Sequence, residues 1–236
     1  AIWAAGACAL AGAAFISPSA GDEAASGSAT LSFQAAPDWS FILPREQWFG
    51  VSDSIGVPHA GNPSGFLAEQ TGVMALEIDT NGDDKLDHTI KGSSGFTKLR
   101  GKTADDKQLD YAVRVKFDAG YKWTPSCFMS GKLMGVVVRV IDQNGNGRYD
   151  DFGEDAIAIG ATTACSFLSK VVNIGGVLYD FEIASDGSRI DVTPYAGKSG
   201  MLDLASKFVS HGDLLSAVVK SGDLSFNLAG ARSGLL

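Results

Sequence analysis

At 236 residues, with 45% hydrophobic residues and 29 glycines, the chain is long enough for one large or two small domains with many turns. Its net charge of −8 and pI near 4.8 disfavour nucleic acids and anionic lipids as partners. The acidic residues concentrate in 77–87, 103–110 and 142–155, which favours local cation binding. Solubility alone is the simpler alternative.

The first 20 residues carry no charge and consist mainly of alanine, glycine and apolar side chains. They are too short and too rich in small residues for a transmembrane helix, and they resemble the hydrophobic region of a secretory signal peptide ending near residues 17–20. A lipid anchor at Cys8 and a buried apolar segment are the alternatives. We therefore expect a secreted, periplasmic or cell-surface protein without a membrane span in the mature chain.

Residues 21–36 are rich in glycine, serine and alanine, and they predict a linker or a frayed first strand. A β domain is expected over 37–236, with room for a sub-boundary near residue 176. Within it, residues 39–50 predict an edge strand with a bend at a proline, and residues 51–72 predict a loop because they contain two prolines and four glycines.

Apolar runs with an alternating or continuous pattern predict the later strands. These are 73–78, His88–Lys91, 111–117, 135–141, 155–161, Val171–Ile174, Val177–Ile183, 214–219 and 224–228. Residues 101–110 predict a polar connection, Asp186-Gly187 a hairpin turn, and only 201–209 has a helical period. The expected fold class is therefore all-β, an antiparallel sandwich or barrel-like domain with little helix.

Two cysteines remain when Cys8 is set aside, namely Cys127 and Cys165. An even number in an exported chain favours a disulfide, and two buried thiols are the alternative. Their spacing matches neither a zinc site nor a redox motif.

Two polar loops, each following an apolar run, are the most informative segments. The first reads DTNGDDKLD over 79–87 and the second reads DQNGNGRYD over 142–150. Oxygen-bearing side chains at alternate positions of a tight loop converge on one point, as a hard cation such as Ca²⁺ requires. The expected ligands are Asp79, Asn81, Asp83, the Lys85 carbonyl and Asp87 in the first loop, and Asp142, Asn144, Asn146, the Arg148 carbonyl and Asp150 in the second.

Both loops resemble the EF-hand and dockerin-type calcium loop over about ten residues each. The family places a bidentate glutamate at position 12, where this chain has Ile90 and Gly153, and no helical pattern flanks either loop. The missing ligands would come from neighbours: Glu77 or Asp84 near the first loop, and Asp151, Glu154 or Asp155 near the second. The alternative is that the Asn-Gly and Asp-Gly pairs simply form hairpin turns.

Turn geometry and charge rank the two loops in opposite order. At position 6, where the chain must turn sharply, the second loop has Gly147 and the first has Asp84. The first loop offers one more carboxylate among its early ligands, Asp83 against Asn146. We expect turn geometry to prevail and the second loop to bind calcium more strongly.

The layout over residues 36–236 is similar to that of uncharacterised exported bacterial proteins with such loops in a β domain, a resemblance that implies no known activity. No catalytic motif is evident, and His59, His88 and His211 stand at no recognised spacing from a nucleophile or carboxylate. The expected function is structural or surface-interacting, with calcium-stabilised loops and a cell-surface protein or glycan as partner. The alternative is a carbohydrate-binding module that uses Trp39, Trp48 and Trp123, and a hydrolase is less favoured.

Overall fold

The computed structural model describes residues 25–200 and 216–228, and every regular element within them is a β-strand. The strands are β1 Gly27–Thr30, β2 Ser32–Ala35, β3 Phe49–Gly50, β4 Ser54–Ile55, β5 Phe66–Gly72, β6 Ala75–Ile78, β7 His88–Lys91, β8 Ser94–Lys102, β9 Gln108–Phe117, β10 Tyr121–Pro125, β11 Cys127–Leu133, β12 Val136–Ile141, β13 Ala156–Ile159, β14 Ser166–Phe167, β15 Val171–Ile174, β16 Val177–Ile183, β17 Arg189–Pro194, β18 Val218–Ser221 and β19 Leu224–Asn227. The predicted all-β class is confirmed. The described residues contain no helix long and apolar enough to cross a membrane.

The first sandwich pairs the sheet β3-β10-β9-β8 with the sheet β4-β5-β6-β7. Strand β9 shows why its residues form a half-buried strand: the odd-numbered side chains from Leu109 to Val115 are buried, and the even-numbered Arg114 and Lys116 face outward. The shared core contains fully buried side chains from both sheets, among them Leu99, Tyr111, Val113, Phe66, Leu76 and Ile78. Burying one such side chain stabilises the fold by about 1.5–3 kcal/mol.

The second sandwich pairs the sheet β1-β17-β16-β15 with the five-stranded sheet β14-β13-β12-β11-β2. Its core takes Val138, Val140 and Ile157 from one sheet and Val172, Phe181 and Val192 from the other. All strand pairs in these sheets are antiparallel. None of the sheets closes on itself, so of the two expected architectures the sandwich is the one observed.

The two sandwiches share one topology, and the first is inserted into the second. Each begins with two short strands in opposite sheets, β3 and β4 or β1 and β2. A three-stranded meander extends one sheet (β5-β6-β7 or β11-β12-β13), and a second meander extends the other (β8-β9-β10 or β15-β16-β17). The chain leaves the second sandwich after β2 and returns at β11. Both polar loops therefore occupy the same place, between β6 and β7 and between β12 and β13.

The segment 39–50 differs from the predicted edge strand. Only Phe49–Gly50 is a strand, and Ile42 forms an isolated bridge with Ala164. Trp39, Phe41 and Leu43 instead pack on Ile141, Ala156 and Ala158, on the outer face of the five-stranded sheet. The apolar pattern therefore marks a covering segment and not a sheet strand.

Other predicted elements are partly confirmed. Strands β7, β15 and β16 have the predicted bounds, and the predicted linker contains β1 and β2. The predicted loop 51–72 is wrong in part, because it contains β4 and because β5 begins at Phe66, directly after Gly65. The glycine pair before residue 177 is the turn of the β15–β16 hairpin, so the sub-boundary falls inside one sheet. The signal peptide, Cys8, the helical segment 201–209 and His211 lie outside the described residues.

The expected disulfide is not present. Cys127 and Cys165 are both free and buried, as in the alternative of two buried thiols. They belong to different core clusters: Cys127 lies in the core of the first sandwich, and Cys165 lies under the covering segment 39–43. Burial raises the pKa of each thiol to about 12, so neither is a ready nucleophile.

Candidate metal centre

The two polar loops have the same backbone. At position 4, Gly82 and Gly145 have φ angles of 73° and 74°, and at position 6, Asp84 and Gly147 have φ angles of 61° and 80°. Both loops thus make the same left-handed turn, although only the second has glycine at position 6. The expectation that this turn would favour the second loop loses its basis.

In the first loop, the carboxylate of Asp79 organises the turn. Its Oδ1 accepts N–H groups from Asn81 at 3.0 Å and Gly82 at 2.8 Å, and its Oδ2 accepts the N–H of Asp84 at 2.9 Å. The side chain is buried, while most of the loop around it is exposed. A carboxylate offers about four lone-pair sites, so Asp79 keeps one free.

The other oxygen atoms of the first loop are less engaged. Asn81 accepts one N–H from Asp83 at 3.0 Å, and Asp83 accepts the N–H of Lys85 at 3.1 Å and, at its other oxygen, the Lys85 ammonium at 3.5 Å. Asp87 accepts the N–H and the hydroxyl of Thr80 at one oxygen, 3.0 and 2.8 Å away. Among the described residues, its second oxygen has no donor. The first loop therefore keeps free oxygen lone pairs at all four expected side-chain ligands.

In the second loop, Asp142 occupies the same position in a different setting. Its Oδ1 accepts N–H groups from Gly145 at 2.7 Å and Asn146 at 3.2 Å, and its Oδ2 accepts the N–H of Gly147 at 2.7 Å. A fourth donor comes from the other sandwich: the hydroxyl of Tyr111 on β9 lies 2.7 Å from Oδ2. All lone-pair sites of this buried carboxylate are thus occupied by protein donors.

The remaining acids of the second loop are also paired. The side-chain amides of Asn144 and Asn146 both donate to Asp151, at 2.8 and 2.5 Å. Arg148 donates two hydrogen bonds to Asp150, at 3.1 and 2.8 Å. The carboxylates of the second loop therefore have protein hydrogen-bond donors without a bound cation.

Two buried carboxylates under the second loop have raised pKa values. Burial raises the pKa of Asp142 to about 6, although its four hydrogen bonds act in the opposite direction. Burial, and next the charge of Asp142, raise the pKa of Asp155 to about 9. Asp155 accepts the N–H groups of Gln143 at 3.2 Å and Asp151 at 3.1 Å. Asp142 therefore supports the turn as a carboxylate, and Asp155 is the acid of this pair that holds a proton at neutral pH.

Of the residues expected to complete the calcium shells, Asp151 lies at the second loop, where it accepts the amides of Asn144 and Asn146, and the two glutamates have other partners. Ile90, at position 12 of the first loop, is buried in the core. Glu77 accepts the hydroxyl of Thr71 at 3.3 Å, and Glu154 forms ion pairs with Arg45 and Lys220 at 3.3 and 3.7 Å. Water and the loop's own oxygen atoms would have to complete a calcium shell here.

The surroundings of the two loops differ at position 4. A Cβ at Gly82 would lie 3.2 Å from the ring of His59, a buried residue that stacks on Phe66 at 4.4 Å. A Cβ at Gly145 would lie 2.9 Å from the rings of both Phe49 and Trp123, which belong to the first sandwich. The second loop is thus wedged between the two sandwiches, and the first lies at the surface of one.

Sequence reasoning missed Tyr111 and His59. Tyr111 lies in the strand predicted over 111–117, where the pattern indicated only a core residue. It is 31 positions from Asp142, so nothing in the sequence linked the two. His59 stood in a segment predicted as loop, and its Nδ1 accepts the N–H of Gly61 at 3.3 Å. Only one feature of the sequence pointed to these two residues. Each carries a polar side-chain atom within an apolar or glycine-rich run.

The tryptophans proposed as a sugar platform are largely engaged. Trp123 is buried and stacks with Phe49, their ring centroids 4.9 Å apart. Trp39 and Trp48 are half-buried, and the Arg114 guanidinium lies 4.7 and 5.4 Å from their ring centroids. Stacking of sugar rings on these side chains therefore has no specific support.

Within the described residues, no group of three or more His, Cys, Asp or Glu side chains is placed to hold a metal ion. A calcium site in the first loop would therefore depend on an asparagine and on carbonyl or water oxygens as well as carboxylates. Comparison with protein-family models, curated proteins and solved structures gives no match for this chain.

Proposed function

We propose that this chain is an exported β-sandwich protein whose first polar loop, residues 79–87, binds Ca²⁺ and stabilises one end of the first sandwich. The observation that carries the proposal is the difference in free oxygen atoms between the two loops. At position 1, Asp79 keeps a lone pair free, whereas Asp142 has a protein donor at every one. At position 9, the second oxygen of Asp87 has no donor among the described residues, whereas both oxygens of Asp150 accept from Arg148. The proposal reverses the ranking expected from the sequence.

The residues that would hold the ion are Asp79, Asn81, Asp83 and Asp87, with the Lys85 carbonyl at position 7. The loop has four aspartates and one lysine, a net charge of −3 in nine residues. A bound divalent cation would relieve the repulsion among these carboxylates. The Arg100 N–H of β8 donates a hydrogen bond to the Thr80 carbonyl of the loop at 2.8 Å. Because of this bond, an ordered loop also stabilises β8.

The affinity we expect is weak. Without a bidentate glutamate, the site resembles extracellular calcium modules, whose dissociation constants are about 10⁻⁴–10⁻³ M. Such a site would be filled only where calcium is millimolar, which agrees with the export suggested by the apolar residues 1–20. At a calcium concentration of a few times Kd, binding stabilises the folded state by about 1 kcal/mol.

A reciprocal exchange at position 5 tests the proposal. Asp83→Asn keeps the acceptor for the Lys85 N–H and removes one charge, so we expect calcium affinity measured by calorimetry to fall about tenfold. Asn146→Asp is the matched variant in the second loop, where it places a second carboxylate beside Asp151. It should lower the melting temperature in EDTA without weakening the calcium binding of the first loop.

The proposal fails if calcium leaves both the heat signal and the melting temperature of the wild-type protein unchanged at millimolar concentration. It also fails if Asp83→Asn binds calcium as tightly as the wild type. A change of calcium affinity in Asn146→Asp, with none in Asp83→Asn, would return the site to the second loop.

A further inference from the structure

One face of the first sandwich is basic, although the chain as a whole has a net charge of −8. Residues that pair across an antiparallel ladder share a face, and the register places Lys98, Arg100 and Lys102 of β8 beside the even-numbered positions of β9. The outward positions of β8, β9 and β10 together carry six cations, here called the basic face: Lys98, Arg100, Lys102, Arg114, Lys116 and Lys122. Asp110 is the one acid at an outward position of these three strands.

The basic face keeps positive charge after its ion pairs are counted. Four cations pair with carboxylates: Arg100 with Asp110 at 3.4 Å, Lys102 with Asp106 at 2.6 Å, Lys122 with Asp118 at 2.8 Å, and Arg114 with Glu46. Among the described residues, Lys98 and Lys116 form no ion pair. Exposed pairs are weak, so an incoming anion can compete for their cations.

The equivalent face of the second sandwich has the opposite sign. Its outward positions on β16 and β17 carry Asp180, Glu182 and Asp191, with Arg189 as the one cation among the charged side chains there. The same topology thus supports either sign of charge. The sandwich fold therefore does not require cations on this face. Binding of an anionic ligand explains better why six of them cluster there.

The shape of the face restricts which polyanion fits. A DNA duplex is contacted by elements that enter a groove, whereas this face is the surface of a sheet, on which Glu46 and Trp48 lie over Arg114 and Lys116. Single-stranded nucleic acid needs free aromatic rings for base stacking, whereas the ring of Trp48 lies 4.0 Å from the Lys116 ammonium and 5.4 Å from the Arg114 guanidinium. Recognition here can use charge but not stacking.

An anionic membrane fits less well than a single acidic chain. The large exposed apolar side chains of the described residues lie elsewhere, at Ile42, Val73, Met74, Met134, Val177, Val219 and Leu224, so none inserts from this face. An extended anionic surface would also repel the acidic remainder of the molecule. A narrow chain meets only the basic face, since charges beyond a Debye length of about 8 Å are screened.

We propose that the basic face binds a linear acidic polysaccharide through its carboxylate or sulfate groups. Successive outward cations on β8 are about 7 Å apart along the strand, and neighbouring strands are about 4.8 Å apart. A polyanion lying along β8 and β9 therefore meets Lys102, Arg100 and Lys98 in turn, and then Lys116, which lies opposite Ser94. This function goes beyond the proposed calcium site and does not depend on it.

Affinity electrophoresis of the full chain in EGTA tests the proposal, because chelation removes calcium bridges between a glycan and the loop carboxylates. The probes are polygalacturonate for carboxylate, dextran sulfate for sulfate, and neutral dextran. The test variant is Lys98→Ser with Lys116→Ser. The matched control is Lys91→Ser with Lys132→Ser, two exposed lysines outside the face. Both double variants lose two positive charges, so net charge is held equal.

We expect one or both acidic probes to retard the wild type, with salt weakening the effect, and neutral dextran to have none. The test variant should bind about tenfold more weakly, with the slope of log K against log salt reduced by up to about 2, and the control should stay within about twofold. Equal weakening in both variants would overturn the proposal, as would absence of retardation at low salt. Tighter binding to single-stranded DNA, duplex DNA or phosphatidylserine vesicles than to either acidic polysaccharide would also overturn it.

Discussion

The two polar loops have one backbone and two environments. The first, over 79–87, lies at the surface of the first sandwich, with its carboxylates mostly exposed. The second, over 142–150, lies between the sandwiches, where Tyr111 of the first donates to Asp142 of the second. The same turn motif is therefore an open cluster of oxygen atoms in one place and a closed hydrogen-bonded support in the other.

This difference follows from the nested chain path. Because the first sandwich is inserted after β2, its β3, β9 and β10 bring Phe49, Tyr111 and Trp123 against the second loop. At the same position of the first loop, a Cβ at Gly82 would instead meet the buried His59 ring and the Arg100 carbonyl of β8. Burial, and not the loop sequence, then decides whether a carboxylate keeps lone pairs for a cation.

The largest expected effect is the loss of the buried acceptor. Asp142→Ala leaves the N–H groups of Gly145 and Gly147 and the Tyr111 hydroxyl without a partner, and we expect the free energy of unfolding to fall by about 3–5 kcal/mol. Asp79→Ala, in a more solvated loop, should cost about 1–3 kcal/mol. Urea unfolding in EDTA measures both. The calcium-dependent stabilisation should vanish in Asp79→Ala and persist in Asp142→Ala.

Tyr111→Phe is the control for this prediction, since it removes one donor and leaves the carboxylate; its cost should be about 1–1.5 kcal/mol. Equal losses for Asp79→Ala and Asp142→Ala would show that the two environments are energetically alike.

The next effect is a pH dependence that the buried acids of the second loop produce between pH 5 and about pH 8. Above about pH 8, the two buried cysteines, whose pKa burial raises to about 12, add a loss of stability with the same sign. Unfolded aspartates have pKa values of about 3.9, and burial raises the pKa of Asp142 to about 6 and that of Asp155 to about 9. Between these limits the native state holds protons that the unfolded state has released, so stability falls as pH rises. In EDTA, we expect a lower urea midpoint at pH 9 than at pH 5.

Asp155→Asn should flatten this profile, whatever its effect on the midpoint at pH 5. Exposed aspartates with lowered pKa values, such as Asp105 and Asp118, act below about pH 4 and leave this window unaffected. A midpoint that rises from pH 5 to pH 9 would mean that both buried carboxylates are already ionised at low pH.

A smaller difference is expected at position 4. Gly145→Ala adds a Cβ 2.9 Å from two aromatic rings at a φ of 74°, so backbone strain and overpacking should together cost about 2–4 kcal/mol. Gly82→Ala has nearly the same φ, and its Cβ would lie 3.2 Å from the His59 ring, a looser contact than the 2.9 Å at Gly145. We expect a cost of about 1–2 kcal/mol there. Thermal unfolding compares the pair, and a larger loss for Gly82→Ala would place the tighter packing at the first loop.

The smallest effect is at position 6. Asp84 holds a φ of 61° without glycine, so Asp84→Gly should stabilise the apo protein by up to about 1 kcal/mol. Gly147→Ala should cost about 1 kcal/mol, because its Cβ would meet Val57 at an ordinary 3.4 Å and only the backbone is strained. Chemical denaturation of both variants checks whether the two substitutions change stability in opposite directions. Destabilisation by Asp84→Gly would mean that the aspartate side chain supports its own turn.

Several features could be read from the sequence because they depend on neighbouring residues. Alternation along 111–117 predicts a half-buried strand, and the observed side chains follow it. The Asp-x-Asn-Gly pattern indicates a tight loop because each side-chain oxygen accepts N–H groups two to five residues ahead. Such bonds form wherever the loop is placed, so the shared backbone was implied by the sequence.

Other features were decided only by the tertiary structure. The segment 39–43 has the composition of a strand but covers a sheet, and the two cysteines lie in separate clusters that no spacing reveals. The bond from Tyr111 to Asp142, the wedge of Phe49 and Trp123 against Gly145, and the concentration of cations on one sheet face all join residues from distant parts of the chain. Local hydrogen bonds set the shape of each loop, but the chain path sets which loop is buried, and desolvation then determines whether its carboxylates bind protein donors, a proton or a cation.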